Sequence, residues 1–318
     1  MTKQDLRIVY MGTPDFAVES LKVLHESGFN IVGVITMPDK PAGRGHKIQY
    51  SPVKQYALEH NLTLLQPEKL KDESFLTELK ALQADLQIVV AFRMLPEAVW
   101  NMPRLGTFNL HASLLPQYRG AAPINWAVIN GETETGVTTF FLTHEIDTGH
   151  IILQEKTPIS YTDTAGDIHD KLMIIGGQLV IKTVELILEE KAAGMPQPHI
   201  EQLKLAPKIF KDTCRIDWNK SAAKLYNFVR GLSPYPAAWT ELLSPENEVA
   251  GLKIFETKIE LQPHNEPAGK LVSDGKNYIK ITTTDGFLTL ISVQLAGKKR
   301  MQTAELLRGF NIKGYTIK

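Results

Sequence analysis

Two polar side chains separated by a single residue have the chemistry that group transfer needs. Asn109 and His111 stand at the end of a β-rich run, residues 106–111, that predicts a strand. Side chains two residues apart on a strand point to the same side, so a carboxamide donor would lie beside a titratable ring. Such a pair can stabilise an oxyanion and move a proton. It is equally compatible with a turn cap next to a buried, hydrogen-bonded histidine.

A carboxylate could complete this pair, and Asp147 is the candidate. It lies in Glu145-Ile146-Asp147-Thr148-Gly149, in the turn between two β-rich runs. A carboxylate beside His111 would orient the ring and favour its protonated form. An Asp before Thr-Gly is also a common turn former, so the proximity of Asp147 to His111 is an expectation that only a structure tests.

The elements that must position these residues alternate between strands and helices. The predicted strands are residues 7–11, 31–37, 86–91 and 106–111, and the predicted helices are residues 14–27 and 51–60. Thr13 is expected to cap the first of these helices. Alternation of this kind predicts a doubly wound, mostly parallel α/β sheet. Two further β-rich runs, 136–142 and 151–159, predict an antiparallel pair, and a long helix is expected from 163 to 190.

The last third of the chain has another pattern. Residues 191–207 contain one Gly and three Pro and predict a linker. After a helix expected at 221–231, short β-rich runs separated by turn signals are typical of a small β-barrel. The sequence therefore predicts one domain at 1–190, a linker at 191–207 and a second domain at 208–318.

Composition and charge restrict the class of protein. With 43% hydrophobic and 22% charged residues the chain is not disordered, and no apolar run reaches the length of about 18 residues that a membrane helix needs. A single cysteine and an N-terminus without a secretory pattern predict a cytoplasmic protein. Residues 208–318 carry 17 basic and 11 acidic side chains, a net charge of +6, against −6 for residues 1–207. A basic back third indicates contact with nucleic acid, although charge spread over a solvated surface would give the same count.

Two other motifs match known ligand-binding patterns only in part. Gly12-Thr13-Pro14-Asp15-Phe16-Ala17 occupies the first turn from strand to helix, but it lacks the later glycines of a dinucleotide site. A tight turn with a helix cap is favoured there over phosphate binding. His144-Glu145 begins like a zinc-protease motif, but Thr148 stands where the second histidine is required. No metal site is expected.

Taken together, these motifs resemble the formyltransferases that use 10-formyltetrahydrofolate, and within them the methionyl-tRNA formyltransferases. The segments that carry the resemblance are residues 11–17, 38–45 and 108–123, with Lys208-Ile209, Arg215-Ile216-Asp217-Trp218 and Ala296-Gly297-Lys298-Lys299 in the back third. They are spread over nearly the whole chain. The resemblance implies a Rossmann-like formyltransferase domain followed by a C-terminal barrel similar to an OB-fold.

The resemblance also implies roles for individual residues. Asn109, His111 and Asp147 would be catalytic. The pocket for the folate cosubstrate would be lined by the loop of Ser113, Leu114, Leu115 and Pro116. The 38–50 loop, with Arg44, would reach the acceptor arm of initiator methionyl-tRNA. Further cations suited to RNA phosphates are Lys40 and Lys47 in that loop and Lys298, Lys299 and Arg300 in the basic back third. We expect a monomer that requires no metal and no membrane.

The chemistry of such a transfer agrees with these side chains. An amine attacks the formyl carbon on N10 of the folate, and Asn109 and a protonated His111 would donate hydrogen bonds to the formyl oxygen as it becomes negative. Asp147, or a water that it holds, would accept the amine proton, and His111 would protonate the departing N10. Two positions depart from the family pattern: Arg93, near the expected pterin pocket, and Glu145, where relatives often have Gly.

Two other functions remain open at this point. A formyltransferase acting on a small amine, such as a nucleotide-linked sugar or glycinamide ribonucleotide, would not need a basic second domain. A non-enzymatic RNA-binding protein on the same scaffold would not need Asn109, His111 and Asp147 together. The sequence therefore favours formyl transfer to the amino group of methionyl initiator tRNA.

Overall fold

The chain forms two compact units, and each of them combines segments that are distant in sequence. The computed structural model describes residues 1–42 and 47–318. The first unit comprises Met1–Gly120, Thr135–Thr157 and His169–Leu205, and the second comprises Ala121–Glu134, Pro158–Ile168 and Ala206–Lys318. The chain thus enters the second unit three times, and the domain limits at 190 and 208 stay a prediction.

A mostly parallel sheet forms the centre of the first unit. The strands of this sheet are β1 (Arg7–Gly12), β2 (Asn30–Ile35), β5 (Leu64–Leu65), β6 (Leu86–Val90), β7 (Thr107–His111), β8 (Glu134–Phe141) and β9 (Ile151–Pro158). Two further strands, β3 (Lys40–Ala42) and β4 (Lys47–Gln49), form a separate pair. The sheet has the order β5-β2-β1-β6-β7-β8-β9, and β3 pairs with β4. Strands β5 to β7 of this order run parallel, and β8 is antiparallel to β7. The predicted doubly wound, mostly parallel sheet is confirmed.

Helices follow most of these strands. Within the described residues they are α1 (Asp15–Glu26), α2 (Pro52–Glu59), α3 (Glu73–Ala81), α4 (Glu97–Trp100), α5 (Pro123–Ile129), α6 (Ala165–Leu188), α7 (Ala222–Leu232) and α8 (Thr303–Leu307). All five residues of β6 are buried, as expected for a parallel strand that is covered on both faces. The core beside it includes Met11, Ile35, Leu79 and Val99, so the ends of the central strands are held on a rigid support.

The two predicted helix starts had different outcomes. Ser51, the first residue of the predicted helix 51–60, caps α2, because its Oγ accepts the N–H of Lys54 at 3.1 Å. The predicted cap on α1 is wrong. The N-cap residue of α1 is Pro14, in extended backbone at φ −76° and ψ 174°, so the helix begins one residue too late for Thr13. Thr13 Oγ1 is instead buried without a hydrogen-bond partner among the described residues.

An antiparallel sheet packed against α7 makes up most of the second unit. Its strands are β10 (Ala238–Leu243), β11 (Val249–Glu260), β12 (Leu271–Ser273), β13 (Ile279–Thr282), β14 (Phe287–Leu295), β15 (Met301–Gln302) and β16 (Thr316–Ile317). They follow the order β12-β13-β14-β11-β10-β16, with β15 beside β14. Leu225, Val229 and Leu232 of α7 share one core with Ile254 and Leu290 of the sheet. The unit corresponds to the predicted small β-domain.

Helix α5 belongs to this second unit and packs against α7. Asn125 Nδ2 donates to the carbonyl of Gly231 at 2.8 Å. A Cβ at Gly231 would lie 2.5 Å from the side chain of Ile129, so the close approach of the two helices requires glycine there. Among the described residues, no helix combines the length and the apolar character needed to cross a membrane.

Candidate active site

Asn109 and His111 lie side by side at the carboxyl end of β7. In the sheet, Asn109 is paired with Val89 of β6 and Phe140 of β8, and His111 is paired with Thr138. The side chain of His111 is buried, whereas Asn109 is half-buried. Within the described part of the chain, the Asn109 carboxamide has no hydrogen-bond partner. Its two N–H groups are therefore free to bind a ligand.

The ring of His111 is oriented by a backbone carbonyl. Nε2 lies 2.9 Å from the carbonyl oxygen of Tyr118. Because a carbonyl oxygen only accepts, Nε2 must carry the hydrogen. Tyr118 itself has a positive φ of 61° and donates its N–H to the carbonyl of Lys204 at 2.6 Å. Nδ1 is consequently the ring nitrogen left for chemistry.

Asp147 lies beside that free nitrogen. Its Oδ2 is 3.9 Å from His111 Nδ1, which is too long for a hydrogen bond but close enough for an ion pair with a protonated ring. The same Oδ2 accepts the N–H of Gly120 at 2.9 Å. Both side chains are largely shielded from solvent, with 7% of His111 and 13% of Asp147 exposed. The structure thus brings Asp147, from the loop between β8 and β9, beside His111, which lies on the strand that also carries Asn109.

The loop expected to line a folate pocket is mostly turned into the protein. Ser113 Oγ donates to the carbonyl of Gln117 at 2.7 Å, and the side chain of Leu115 is buried against Phe140. Pro116 is buried as well, whereas Leu114 is half-buried. What this loop offers to a ligand is therefore mainly Leu114 and backbone.

Arg93 and Glu145, the two residues that depart from the family pattern, have defined contacts in the structure. Arg93 donates to the carbonyls of Pro67 and Glu68, and burial lowers the pKa of its guanidinium. Glu145 is exposed, and its carbonyl accepts the hydroxyl of Thr148 at 3.1 Å. Arg93 therefore holds a neighbouring loop, and Glu145 contributes to the turn around Asp147 through its backbone.

The cations expected to bind RNA fall in three places. Arg44 lies outside the described residues, and the backbones of Lys40 and Lys47 lie in β3 and β4. Lys298 and Lys299 are exposed in the turn between β14 and β15. The next residue of the basic run has a more defined position: the Arg300 guanidinium lies 4.4 Å from the centre of the Phe255 ring, and its Nε donates to Ser292 Oγ at 2.8 Å. No group of three or more metal-ligating side chains occurs among the residues that the structure describes.

Three residues that shape the site were not singled out from the sequence: Tyr118, Thr138 and Gln197. Tyr118 acts through a carbonyl set by a positive φ, which no residue pattern reveals. Thr138 stands opposite His111 in the sheet, so aligning the two strands would have indicated it. Gln197 lies in the irregular segment and contacts the Asp147 loop, a contact that depends entirely on tertiary structure.

Sequence comparison places this chain in a family. A sequence model of the formyl transferase family matches residues 6–184, and a model of the formyl transferase C-terminal domain matches residues 208–311. A methionyl-tRNA formyltransferase of Bacteroides thetaiotaomicron is 67% identical over 321 residues, which cover 100% of both chains. The chain therefore belongs to the formyl transferase family, in the group of the methionyl-tRNA formyltransferases. It is an enzyme that transfers a formyl group.

Solved structures share the fold at low sequence identity. HypX from Aquifex aeolicus, crystallised with tetrahydrofolic acid, is 18% identical with a TM-score of 0.65, over 97% of this chain and 48% of that chain. This chain thus spans about half the length of HypX. An N-formyltransferase from Helicobacter canadensis, in complex with folinic acid and dTDP-3-aminofucose, is 20% identical with a TM-score of 0.63, over 93% of this chain and 100% of that one. The predicted architecture of a Rossmann-like domain followed by a small β-domain is confirmed.

Proposed function

We propose that the protein transfers the formyl group of 10-formyltetrahydrofolate to the amino group of methionyl initiator tRNA. The observation that carries the proposal is the approach of Asp147 Oδ2 to within 3.9 Å of His111 Nδ1, because His111 lies on the strand whose Asn109 carboxamide is unpaired. The Bacteroides thetaiotaomicron relative, which matches the whole chain, supports methionyl-tRNA as the acceptor. The folate ligands of the structural neighbours support a folate donor.

Asn109 stabilises the charge that develops on the formyl oxygen. The amine of the methionyl group attacks the formyl carbon, a C–N bond forms, and the carbonyl oxygen becomes an oxyanion. A neutral carboxamide with both N–H groups free is suited to this task, because it donates without needing to change its protonation state. Loss of one such donor typically lowers the rate by about 10²- to 10³-fold.

His111 and Asp147 handle the protons. Since Nε2 is held by Tyr118, the protonated ring presents its Nδ1–H to the reacting centre. Asp147, directly or through a water, accepts the proton that the attacking amine must lose. His111 delivers a proton to N10 of the folate as the bond from the formyl carbon to N10 breaks. One proton is thus taken up and one is released in each transfer.

Binding of the two substrates is assigned to separate surfaces. We place the folate next to the loop of residues 113–116, where the partly exposed Leu114 is the apolar contact. The acceptor arm of the tRNA is assigned to the 38–50 loop with Lys40, Arg44 and Lys47. The rest of the tRNA is assigned to the exposed Lys298 and Lys299, together with Arg300, in the basic back third of the chain, residues 208–318. The monomeric state, the cytoplasmic location and the independence from metal stay predictions from the sequence.

An assay with 10-formyltetrahydrofolate and a panel of amine acceptors tests this function. Charged initiator tRNA should be formylated, whereas dTDP-aminosugars and glycinamide ribonucleotide should not. Asn109→Ala and His111→Ala should abolish transfer or slow it by at least about 10²-fold, while tRNA binding measured by filter retention is nearly unchanged. Asn101→Ala, which truncates an exposed Asn in the same unit, is the matched control. Preference for a small amine, or full turnover in either active-site variant, would refute the proposal.

A further inference from the structure

We propose that Gln197 is a positioning residue for the transfer reaction, because it fixes the loop that carries Asp147. The inference rests on the proposed function, in which Asp147 accepts a proton. Gln197 lies within the irregular segment 191–207, where the sequence suggested only a linker. In the structure this part of the segment belongs to the first unit.

All hydrogen-bonding groups of the Gln197 side-chain amide have partners: both N–H groups donate and the oxygen accepts. Its Nε2 donates to the carbonyl of Asp147 at 2.8 Å and to the carbonyl of Gly149 at 2.9 Å. Its Oε1 accepts from Arg119, from Nε at 3.1 Å and from Nη2 at 2.6 Å. The partners fix the orientation of the amide, because carbonyls only accept and a guanidinium only donates. No other orientation satisfies all four bonds.

The Asp147 loop needs such a support. Asp147 has a φ of 55°, in the left-handed region that residues other than Gly adopt at a cost. Two residues later, Gly149 lies so close to Phe141 that a Cβ would be 1.7 Å from the Phe141 carbonyl oxygen. The two carbonyls that Gln197 binds belong to these same two residues, Asp147 and Gly149. Its two N–H groups therefore bridge the turn at the point where the backbone is least free to relax.

The same connection also reaches the carboxylate of Asp147. Arg119 binds Gln197 through its side chain, and the next residue, Gly120, donates its N–H to Asp147 Oδ2 at 2.9 Å. Asp147 is thus held through its backbone by Gln197 and through its side chain by Gly120. These contacts close a ring, which sets the direction in which the carboxylate faces His111.

The backbone just before Gln197 is fixed by hydrogen bonds to the sheet. Met195 and Ile151, the first residue of β9, exchange two backbone hydrogen bonds of 2.8 Å each. Gln197 follows two residues after this bridge, so its amide projects from a fixed point at the edge of the sheet. This placement distinguishes it from a surface glutamine that contacts the loop by chance.

Gln197→Glu is the most informative substitution. It keeps the size of the side chain and the contact with Arg119, but it places a carboxylate oxygen against two carbonyl oxygens. We expect kcat to fall by about 10- to 100-fold, since small misplacements of a catalytic group have effects of this size, with the KM for the folate changed less than about twofold. Gln202→Glu makes the same chemical change on an exposed side chain of the same segment and should leave kcat unchanged.

A double-mutant cycle separates positioning from a general structural effect. In an Asp147→Asn background, which retains the slow rate due to the remaining groups, adding Gln197→Glu should change kcat less than about twofold. Hydrogen exchange provides a readout independent of turnover: the amide of Gly120, bound to Asp147 Oδ2, should exchange faster in Gln197→Glu than in Gln202→Glu.

Equal losses of kcat in the two backgrounds, or unchanged exchange at Gly120, would overturn the role of Gln197. Full turnover in Asp147→Asn alone would refute the function proposed for Asp147, and with it any positioning that acts through that residue. A slow Asp147→Asn enzyme together with a fully active Gln197→Glu enzyme would refute the positioning role alone.

Discussion

The hydroxyl of Thr138 connects three groups beneath the loop assigned to the folate. It donates to the carbonyl of Ser113 at 2.6 Å and accepts from the N–H of Leu115 at 3.1 Å and from Gln154 Nε2 at 2.9 Å. Gln154 Nε2 also reaches the carbonyl of Leu115 at 2.9 Å. Thr138 is fully buried, so water cannot replace the hydroxyl if it is removed.

Thr138→Val removes the hydroxyl while keeping the shape of the side chain. The carbonyl of Ser113 and the N–H of Leu115 lose their partner, whereas Gln154 keeps its bond to Leu115. Each orphaned buried group costs about 1 to 2 kcal/mol, so the variant should be less stable by about 2 to 4 kcal/mol. Thr138→Ser keeps the hydroxyl and loses one methyl group, at a cost of about 1 kcal/mol.

Calorimetry and kinetics measure the outcome. For a unit of this size each kcal/mol lowers Tm by about 2 to 4 °C, so Thr138→Val should melt roughly 4 to 16 °C below the wild type. The KM for 10-formyltetrahydrofolate should rise more than the KM for the tRNA, because the 113–116 loop is the part that loses support. If Thr138→Val and Thr138→Ser are alike in Tm and in both KM values, the reasoning fails.

Three further predictions concern other parts of the chain. Lys54→Met should raise the KM for methionyl-tRNA severalfold without changing folate affinity, because buried Lys54 binds Asp39 at 2.5 Å at the start of the loop assigned to the tRNA; an equal rise in both KM values would contradict it. The thiol of Cys214 should react with a disulfide reagent only on unfolding, since burial raises its pKa and depletes the thiolate; rapid labelling of the native protein would be the contrary result. A hydrogen bond from Lys280 lowers the pKa of Glu260 below 4.5, so its carboxylate stabilises the fold above that pH and the benefit is lost as the pH falls through the lower folded value. The Tm difference between wild type and Glu260→Gln should therefore be present at pH 7 and shrink below pH 4.5; a constant difference would argue against it.

Local patterns were sufficient to predict the main elements and the strand that carries Asn109 and His111. Alternation of side chains along a strand is a property of the backbone, so two residues at positions i and i+2 share a face wherever the strand lies. Helix α3 was missed although its sequence contains Phe75 and Leu79 at helical spacing. That pattern is short and falls in a polar stretch, which is where periodicity is weakest.

Contacts that depend on packing between distant segments could not be predicted. A glutamine between two prolines has no pattern that distinguishes Gln197 from an exposed linker residue. The carbonyl of Tyr118 became a partner of His111 only through a backbone conformation that the sequence does not encode locally. The interleaved units have the same cause, because segments 121–134 and 158–168 are assigned by what they pack against and not by their own composition.

The pairing of α5 with α7 has a consequence for synthesis on the ribosome. Asn125 and Gly231, which are bonded across these helices, are 106 residues apart. At about 5 to 20 residues per second, α5 emerges roughly 5 to 20 s before its partner exists. Its buried residues Ala127 and Val128 stay uncovered on the nascent chain for that interval. A ribosome that stalls soon after residue 207 would therefore leave the apolar face of α5 exposed, and such a nascent chain would be prone to aggregate through it.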